Sequence, residues 1–229
     1  MANKKDNVIP VSAGTAAYSG KSEDYFAGAR DDFISELPDN PKARILEIGC
    51  ASGNTGALAL AKGKCGWYAA VELDESAAER ARTKLSEVIV ADIERMELPW
   101  PEHGFDVLIM SEVLEHFADP WRVLRRLRPL LKPGALFFCS SPNISHYRLI
   151  GMVIQGKWRF EDSGVMDRTH LRWFTPKTYG ELVESAGFVL DYVEPIKPFD
   201  TWDRIRIALT GGRRHLFMKQ IKIRAHCPD

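Results

Sequence analysis

Acidic and imidazole side chains cluster in one short segment near the middle of the chain. Glu112, Glu115 and His116 follow an apolar run, and their spacing of i, i+3 and i+4 places the three side chains on one face if a helix starts there. His170 offers a second imidazole from a later segment. Two carboxylates and two imidazoles suit Mg²⁺, Mn²⁺ or Zn²⁺, and such an ion binds a substrate hydroxyl and lowers its pKa. Without a metal, His116 or His170 would act as the general base.

A second set of residues has the chemistry of a nucleotide-like cofactor site. Gly49 and Gly53 flank Cys50 in a turn where the backbone can approach a ligand closely, because glycine lacks a Cβ atom. Glu72 ends the next apolar run about twenty residues later, where a carboxylate accepts hydrogen bonds from both ribose hydroxyls. Asp92 ends the third run, where it can accept a hydrogen bond from an adenine amino group. Three successive junctions with this chemistry predict one cofactor site.

Alternating strand and helix patterns must position these residues. The pattern predicts a doubly wound α/β fold, with a mostly parallel seven-stranded sheet, helices on both faces and an antiparallel last strand. Ligands of such sheets bind at the carboxyl ends of the strands. The predicted strands are 43–48, 67–73, 88–91, 105–110, 135–139, 188–194 and an edge strand 218–225, and the predicted helices are 25–37, 55–62, 74–85, 120–131 and 178–186.

One domain accounts for most of the chain. With 229 residues and a hydrophobic content of 45%, the chain can bury a full core. We expect a mobile N-terminal segment over 1–24 and a single catalytic domain over 25–229. Two insertions, at about 141–175 and 195–217, lie at the active end of the sheet and are expected to form a lid over the substrate.

Charge and cysteine content exclude several classes of protein. The 31 basic residues balance the 31 acidic residues, so no overall field draws the chain to nucleic acid or to an anionic membrane. The four cysteines have no paired spacing, which indicates a reducing compartment rather than a disulfide scaffold. No run approaches the roughly 20 apolar residues of a membrane span. We expect a cytoplasmic protein without a membrane span, with a homodimer left open.

The combined motifs resemble those of the class I S-adenosylmethionine-dependent methyltransferases. The resemblance covers roughly 25–194 and rests on ILEIGCASG, VELDE, ADIE, FDVLIMSEVLEH and LLKPGALFFCSSPN. It implies a methyltransferase domain that binds S-adenosylmethionine. One departure is Ala51, where the family often has glycine, and we expect it to be mild because alanine still permits close approach.

The resemblance also implies roles for individual residues. Glu47 would lie near the methionine amino group, Glu72 would hold the ribose, and Asp92 with Ile93 would frame the adenine. The methionine carboxylate would be capped by Tyr25 or Arg30. The full cofactor-binding set is Tyr25, Arg30, Glu47, Gly49, Cys50, Gly53, Glu72, Leu73, Asp92, Ile93 and Ser111.

A narrower resemblance concerns the reaction itself. The ExxEH spacing, the following SSPN and the later histidine resemble the metal-assisted O-methyltransferases of small RNA 3′ ends and of ubiquinone biosynthesis. This implies a metal site at Glu112, Glu115, His116 and His170, and the general base remains an open alternative. The likeness is confined to short motifs, so the RNA substrate does not transfer to this chain.

Aromatic and polar residues of the first insertion are candidates for acceptor binding. His146, Tyr147, Trp158 and Trp173 could stack on a sugar or another ring, or could instead pack the lid against the sheet. Methyltransferases similar over DRTHLRWFT commonly modify cell-surface glycans or secondary metabolites, which implies a hydroxyl of a sugar, a glycan or a secondary metabolite as the acceptor. In the second insertion, arginines alternate with apolar residues, which suits a solvated covering segment or contact with a lipid-linked or phosphorylated acceptor.

Two other functions stay open. RNA ribose O-methylation is the alternative enzymatic activity, although the balanced charge weighs against it. A non-catalytic cofactor-binding regulator is the alternative from a different class, yet it would tolerate loss of the acidic and histidine groups, and all of these are present. A dehydrogenase would require GxGxxG and a second catalytic domain, and the sequence contains neither.

Overall fold

The fold is built on one seven-stranded sheet, which a computed structural model describes with its flanking helices over residues 28–229. The order across the sheet is β3-β2-β1-β4-β5-β7-β6; β7 runs antiparallel to both of its neighbours and the other pairings are parallel. This confirms the predicted doubly wound α/β fold. The strands are β1 Arg44–Ile48, β2 Trp67–Glu72, β3 Glu87–Val90, β4 Phe105–Ser111, β5 Leu131–Pro142, β6 Val189–Pro195 and β7 Gln220–His226.

Helices cover both faces of this sheet. Successive residues of β1 point to opposite sides: Ile45 packs with Phe33 and Tyr68 in one core cluster, whereas Leu46 packs with Leu108 in the other. Strands buried on both faces read as continuous apolar runs, as these do. The helices are α1 Asp31–Ile34, α2 Asn54–Ala61, α3 Glu75–Arg82, α4 Pro120–Leu127, α5 Tyr147–Ile154, α6 Pro176–Ser185 and α7 Thr201–Leu209.

The prediction that the last strand lies at the edge is wrong. β7 lies between β5 and β6, with Ile223 opposite Cys139 on one side and Val193 on the other. The alternation of polar residues that suggested an edge has another cause. Lys222 and Arg224 form ion pairs with Glu36, at 2.5 and 3.5 Å, so the polar face of β7 is neutralised from the segment after α1. β6 is the edge strand.

Three predicted helices are shorter than expected over the described residues. Of the helix predicted over 25–37, residues 28–37 contain the single turn α1, and Tyr25 lies outside the described residues. The helix predicted over 74–85 is α3, Glu75–Arg82. The helix predicted over 120–131 ends at Leu127 and continues as a 3-10 turn, Arg128–Leu130, because Pro129 supplies no backbone donor for the α-helical ladder. β5 therefore begins at Leu131 and includes the Lys-Pro-Gly segment that was expected to precede it.

Both predicted insertions contain helices of their own. The first, about 141–175, begins inside β5 and carries α5; the second, about 195–217, carries α7 and a 3-10 turn, Arg214–Phe217. The division into a mobile segment over 1–24 and one domain over 25–229 stays a prediction. Within residues 28–229, no helix is both long enough and apolar enough to cross a bilayer.

The turn after β1 is held in an unusual backbone conformation. Gly49, Ala51 and Gly53 have φ of 75°, 50° and 75°. A Cβ atom at Gly49 would lie 2.4 Å from Cγ2 of Val113, so glycine is required there by contact as well as by φ. Ala51 has no such freedom, because a left-handed conformation costs a non-glycine residue about 1 kcal/mol. We expected alanine to have a mild effect here because it permits close approach to a ligand, but alanine at this position also adopts an unfavourable backbone conformation.

Replacing Ala51 by glycine is expected to raise the free energy of unfolding by about 1 kcal/mol, because glycine adopts positive φ without a steric penalty. The matched control is Ala57→Gly within α2, which should lower the free energy of unfolding by about 1 kcal/mol because glycine disfavours a helix interior. Urea unfolding of both variants measures the two effects. An Ala51→Gly protein that is less stable than the original would contradict the left-handed assignment.

Candidate active site

Glu47 ends β1 as a buried carboxyl group. Its side chain is 2% exposed and accepts a hydrogen bond of 2.9 Å from the Tyr68 hydroxyl. Burial raises the pKa of Glu47 to about 8, and this effect exceeds the opposing effect of the Tyr68 hydrogen bond. A cation placed beside Glu47 would favour its ionised form. The position is therefore suited to a bound ammonium group.

Glu72 joins the end of β2 to the glycine-containing turn. One carboxylate oxygen accepts from the backbone N–H of Ala51 at 2.7 Å, and the other accepts from Leu73 and Asp74 at 2.7 and 3.0 Å. Burial raises the pKa of Glu72, while these backbone donors favour the ionised form. Two carboxylate oxygens offer about four lone-pair directions, so one acceptor direction is left for a ligand hydroxyl. Cys50 packs its buried thiol against Ala70 and Ala81, which leaves its backbone as the group near a ligand.

Asp92 and Ile93 lie just beyond β3. One oxygen of Asp92 accepts from the N–H of Glu94 at 3.0 Å, and the other lies 3.4 Å from Nε of Arg95. The Asp92 side chain keeps 27% of its surface exposed. Ile93 is buried in the core, and its carbonyl accepts a hydrogen bond of 2.9 Å from Arg126. The carboxylate of Asp92 is thus held in place at the edge where the predicted cofactor would lie.

Arg30 spans the carboxyl ends of β4 and β5. Its guanidinium donates to the hydroxyl of Ser111 and, at 2.6 Å, to that of Ser140. It also forms two bonds of 2.8 Å to Asp32, and its backbone N–H donates to Thr55 at 3.2 Å. A fixed cation at this edge is consistent with a role in holding a carboxylate. Tyr25, the other predicted cap, cannot be compared because it lies outside the described residues.

The helix expected after β4 is absent from the described structure. Leu114–His116 is a single 3-10 turn, and Glu112 precedes it with φ of 53°. The N–H of Glu112 donates to the carbonyl of Ser140 at 3.0 Å, which extends the pairing of β4 with β5 before the chain turns. The argument from i, i+3 and i+4 spacing is therefore wrong.

Three of the four predicted ligand residues nevertheless come together. Ligand atoms of Glu115, His116 and His170 all lie within 4.8 Å of one another, and the two imidazole rings are 4.7 Å apart between centroids. Glu112 lies outside this group, although its charge raises the pKa of Glu115. We refer below to Glu115, His116 and His170 as the Glu-His-His group.

Hydrogen bonds from the first insertion orient both imidazoles. Nδ1 of His170 lies 3.1 Å from the carbonyl of Val165, and Nδ1 of His116 lies 3.1 and 3.3 Å from the hydroxyl and carbonyl oxygens of Thr169. The Thr169 hydroxyl donates in turn to buried Asp167 at 2.8 Å. An Nδ1–H that donates to a carbonyl leaves the lone pair on Nε2, which is the arrangement of metal-binding histidines and of general bases.

The backbone of Glu115 brings the insertion to this group. Its carbonyl accepts from the N–H groups of Leu171 and Arg172, at 2.8 and 3.0 Å. These two bonds hold the residues directly after His170 against the turn after β4. The convergence of His170 with His116 therefore depends on main-chain contacts as well as on the side chains.

The carboxyl group of Glu115 has an unusual environment. The residue is 1% exposed, and no group donates to its carboxylate oxygens with good hydrogen-bond geometry, although the nearby Ser141 hydroxyl lowers its pKa. Burial raises the pKa of Glu115 well above its usual range, and the nearby charges of Glu112 and Asp167 raise it further. A buried polar group without a partner is costly, and each such group in a folded protein calls for an explanation. Here the group is either protonated or compensated by a cation.

The predicted acceptor residues form two separate groups. The ring of Trp173 lies 5.7 Å from Trp158 and 6.3 Å from Phe160, and the last two are 43% and 54% exposed. His146 instead caps α5, with Nδ1 accepting from the N–H of Arg148 at 3.4 Å, and burial lowers its pKa. The ring next to it, Tyr147, packs against Phe217 of the second insertion at 5.7 Å.

Sequence analysis missed the residue that links the two insertions. Asn143 is fully buried, and its amide donates at 2.7 Å to the carbonyls of both His215 and Met218. Its side-chain oxygen accepts from the N–H of Ser145 at 2.9 Å. The available signal was an asparagine directly after Pro142, where side-chain hydrogen bonding to nearby backbone is common.

A family model described as a methyltransferase domain matches residues 23–193. The chain belongs to the class I S-adenosylmethionine-dependent methyltransferases. It is 32% identical over 110 residues to the 27-O-demethylrifamycin SV methyltransferase of Amycolatopsis mediterranei, covering 45% of this chain and 40% of that relative. It is 28% identical over 166 residues to the ubiquinone biosynthesis O-methyltransferase of Neisseria meningitidis serogroup C, covering 69% and 68% of the two chains.

Solved structures show the same fold. A methyltransferase from Archaeoglobus fulgidus superposes with a TM-score of 0.62 at 23% identity, covering 89% of this chain and 97% of that one. One from Mesorhizobium loti superposes with a TM-score of 0.61 at 20% identity, covering 90% of this chain and 100% of that one. The rifamycin relative is matched over less than half of its own length, so its activity belongs to that protein.

The stability of this methyltransferase without its cofactor is expected to fall with rising pH because of Glu47. The folded-state pKa of about 8 lies above the ordinary value of 4.5, so the folded protein favours the protonated carboxyl. This contribution is complete below pH 4.5 and is lost as pH rises to about 8, with a slope of up to about 1.4 kcal/mol per pH unit.

Urea unfolding of the original protein and of Glu47→Gln over this pH range isolates the effect. Glutamine can still accept the Tyr68 hydrogen bond but does not titrate, so the free energies of the two proteins should diverge as pH rises, in favour of the variant. Parallel curves would show that Glu47 ionises normally in the folded protein.

Proposed function

We propose that the protein transfers a methyl group from S-adenosylmethionine to a hydroxyl of a small-molecule acceptor, namely a sugar, a glycan or a secondary metabolite. The observation that carries the proposal is the Glu-His-His group, which combines a buried carboxyl group that has no well-aligned hydrogen-bond donor with two oriented imidazoles. It follows β4 directly, and Val113 in the same turn contacts Gly49 of the cofactor turn. Groups that can handle a proton thus lie beside the proposed cofactor site.

The chemistry requires little beyond alignment and proton removal. The acceptor oxygen attacks the sulfonium methyl carbon, the carbon–sulfur bond breaks, S-adenosylhomocysteine leaves, and the hydroxyl proton must be taken up. In this proposal Glu47 faces the methionine amino group, Arg30 its carboxylate, Glu72 the ribose, and Asp92 the adenine. These residues lie at or just beyond the carboxyl ends of β1, β2 and β3 or bridge β4 and β5, which supports a cofactor site along these strand ends.

The Glu-His-His group fits a divalent metal ion. Its donor set of one carboxylate and two imidazoles is typical of such sites, and a cation would compensate the carboxyl group of Glu115. Glu115, His116 and His170 would be the ligands; Glu112, although predicted as a fourth, would act on the site through its charge. When bound, Mg²⁺, Mn²⁺ or Zn²⁺ lowers the pKa of an acceptor hydroxyl. Without metal, His116 or His170 takes the proton.

The acceptor class is supported by relatives and by the lid. The two relatives above are named 27-O-demethylrifamycin SV methyltransferase and ubiquinone biosynthesis O-methyltransferase. Trp158 and Phe160 offer exposed aromatic rings before His170, and the partly buried ring of Trp173 after it lies beside them. RNA ribose methylation is the alternative, but equal numbers of basic and acidic residues do not favour binding to a polyanion. A non-catalytic regulator has no evident use for the oriented imidazoles.

Replacing His170 by alanine is expected to lower methyl transfer at least about a hundredfold while leaving S-adenosylmethionine affinity within twofold, because His170 contributes to proton removal and not to cofactor binding. Transfer of a labelled methyl group in a panel of phenols, sugars and sugar nucleotides measures the first, and calorimetry measures the second. The matched control is His215→Ala, an exposed histidine of the second insertion. Full activity of His170→Ala would remove the Glu-His-His group from the mechanism.

A chelator separates the two versions of this mechanism. If a metal ion is used, chelation abolishes transfer and added Mg²⁺, Mn²⁺ or Zn²⁺ restores it, with metal affinity declining below about pH 6.5 as the histidines protonate. If a histidine acts as the base, transfer is indifferent to chelation but remains sensitive to His170→Ala. The pair of measurements therefore assigns the role of the group.

Replacing Trp158 by alanine is expected to raise the KM for the acceptor about tenfold or more and to leave S-adenosylmethionine affinity unchanged. The ring is 43% exposed and contacts Trp173, so it can stack on an acceptor without supporting the core. Steady-state kinetics with each substrate varied, together with a thermal unfolding curve, measures the separation. A large loss of stability in Trp158→Ala would show that the ring packs the lid instead.

A further inference from the structure

The helices of the two insertions expose apolar side chains on one face each. In α7, Trp202, Ile205 and Leu209 are 67%, 44% and 82% exposed, and the helix has no buried residue. Their spacing of i, i+3 and i+7 places them on one face of the helix. The partly buried residues Asp203 and Ile207 lie on the other face, so α7 rests on the protein by its less apolar side.

A second exposed face of the same kind belongs to α5. Tyr147, Ile150 and Ile154 repeat the spacing i, i+3 and i+7 and are 39%, 37% and 80% exposed, and Val153 beside them is 55% exposed. Leu149 on the opposite side is buried. We call the exposed faces of α5 and α7 together the apolar surface. Exposed apolar side chains that are grouped on a helix face and bordered by polar groups often mark a site of interaction.

Hydrogen bonds and ring contacts connect the two parts of this surface. Asn143, just before α5, donates to the carbonyls of His215 and Met218, just after α7. Tyr147 packs on Phe217 at 5.7 Å. The two helices therefore lie at the same end of the sheet, beyond the carboxyl end of β5, where the proposed acceptor would enter.

The border of the apolar surface is positively charged. Over 195–219 the sequence has six basic and two acidic residues, a local net charge of +4 in a chain whose total is zero. Both acids are engaged within α7: Asp200 caps the helix through the N–H of Asp203, and Asp203 lies 3.7 Å from Arg206. The basic residues are Lys197, Arg204, Arg206, Arg213, Arg214 and Lys219.

We infer that the apolar surface docks on an anionic lipid bilayer. Apolar side chains flanked by Arg or Lys are the composition of helices that lie in the membrane interface, where the side chains enter the acyl boundary and the cations face the headgroups. Tryptophan favours this interface, and Trp202 is the most exposed aromatic residue among those described. A second copy of the chain is disfavoured as the occupant, because apposed copies would bring two clusters of charge +4 together.

This inference is independent of the proposed function, because binding to a bilayer requires neither S-adenosylmethionine nor an acceptor. It adds a location to that function. A domain seated by α5 and α7 would turn the lid toward the membrane and favour acceptors that are themselves held there, such as lipid-linked ones.

Co-sedimentation of the full chain with vesicles tests the inference. Vesicles of phosphatidylcholine alone are compared with vesicles of phosphatidylcholine and phosphatidylglycerol in equal parts. We expect binding to the anionic vesicles, weakening as salt increases. Arg204→Gln/Arg213→Gln should lower the partition coefficient about 25-fold, at about fivefold for each lost charge. Ile154→Ser/Leu209→Ser should lower it about tenfold or more, because two apolar side chains no longer enter the interface.

The matched controls lie away from both insertions. Val189→Ser removes an apolar residue of β6 that is 44% exposed, and Lys177→Gln removes an exposed charge of α6; neither should change the partition coefficient. All six substituted sites are exposed, so folding is expected to survive, and circular dichroism checks it.

Three outcomes would overturn the inference. The full chain could fail to bind anionic vesicles. The insertion variants could bind as well as the controls. Light scattering could detect a dimer that Ile154→Ser/Leu209→Ser dissociates, which would make a second copy the occupant of the surface.

Discussion

The site depends on carboxyl groups that are buried at the carboxyl ends of the parallel strands. Glu47, Glu72 and Glu115 are buried there, and Glu112 adds a buried carboxylate oxygen. Burial raises the pKa of each of the four, so the structure disfavours their ionised forms until cations are present. Arg30 supplies one such cation, and it favours ionisation of Glu47 and Glu112.

Buried carboxyl groups that lack a nearby cation would favour the binding of cationic ligands. In the proposed site, a cofactor with an ammonium and a sulfonium group would bring positive charge to the side of Glu47, and a divalent ion would bring it to the side of Glu115. Each ligand replaces a protonated or uncompensated carboxyl with a paired one, so affinity is obtained at the expense of stability in the empty state. Two residues with positive φ, Ala51 and Glu112, lie at the same edge and add local strain, as functional sites often do.

Much of the fold and part of the site could be predicted from sequence, for different physical reasons. The glycine turn, Glu72 and Asp92 follow buried strands, and the strands were recognisable because both of their faces are apolar. The edge position of the last strand was predicted wrongly because its alternation was attributed to solvent, whereas Glu36 neutralises Lys222 and Arg224. Such a long-range pairing leaves no periodic signal in either segment.

Three of the four predicted ligand residues converge, although the helical geometry from which their convergence was expected is absent from the described residues. The helix that was to align Glu112 with the others is a 3-10 turn, and the alignment comes from the carbonyl of Glu115, which holds Leu171 and Arg172. Candidate proton acceptors at a strand end can be recognised in a sequence, because few residue types can remove a proton. The hydrogen bonds that bring a distant segment to it are made by the backbone, which every sequence shares.

The first insertion combines fixed ends with an exposed middle. Asn143 pairs with Phe174 near its two ends, and the bonds to Glu115 fix the residues after His170. Every residue from 153 to 164 is exposed. Residues 161–164 at the end of this part hydrogen-bond to the segment before His170, through Glu161 with Met166 and Arg168 and through Gly164 with Asp167. Substitutions within 153–160 are therefore expected to alter contacts with an acceptor or a surface more than the position of the imidazoles. In the proposed function, proton removal would depend on the fixed end of this segment, and acceptor choice would depend mainly on its exposed middle, so one could vary while the other is kept.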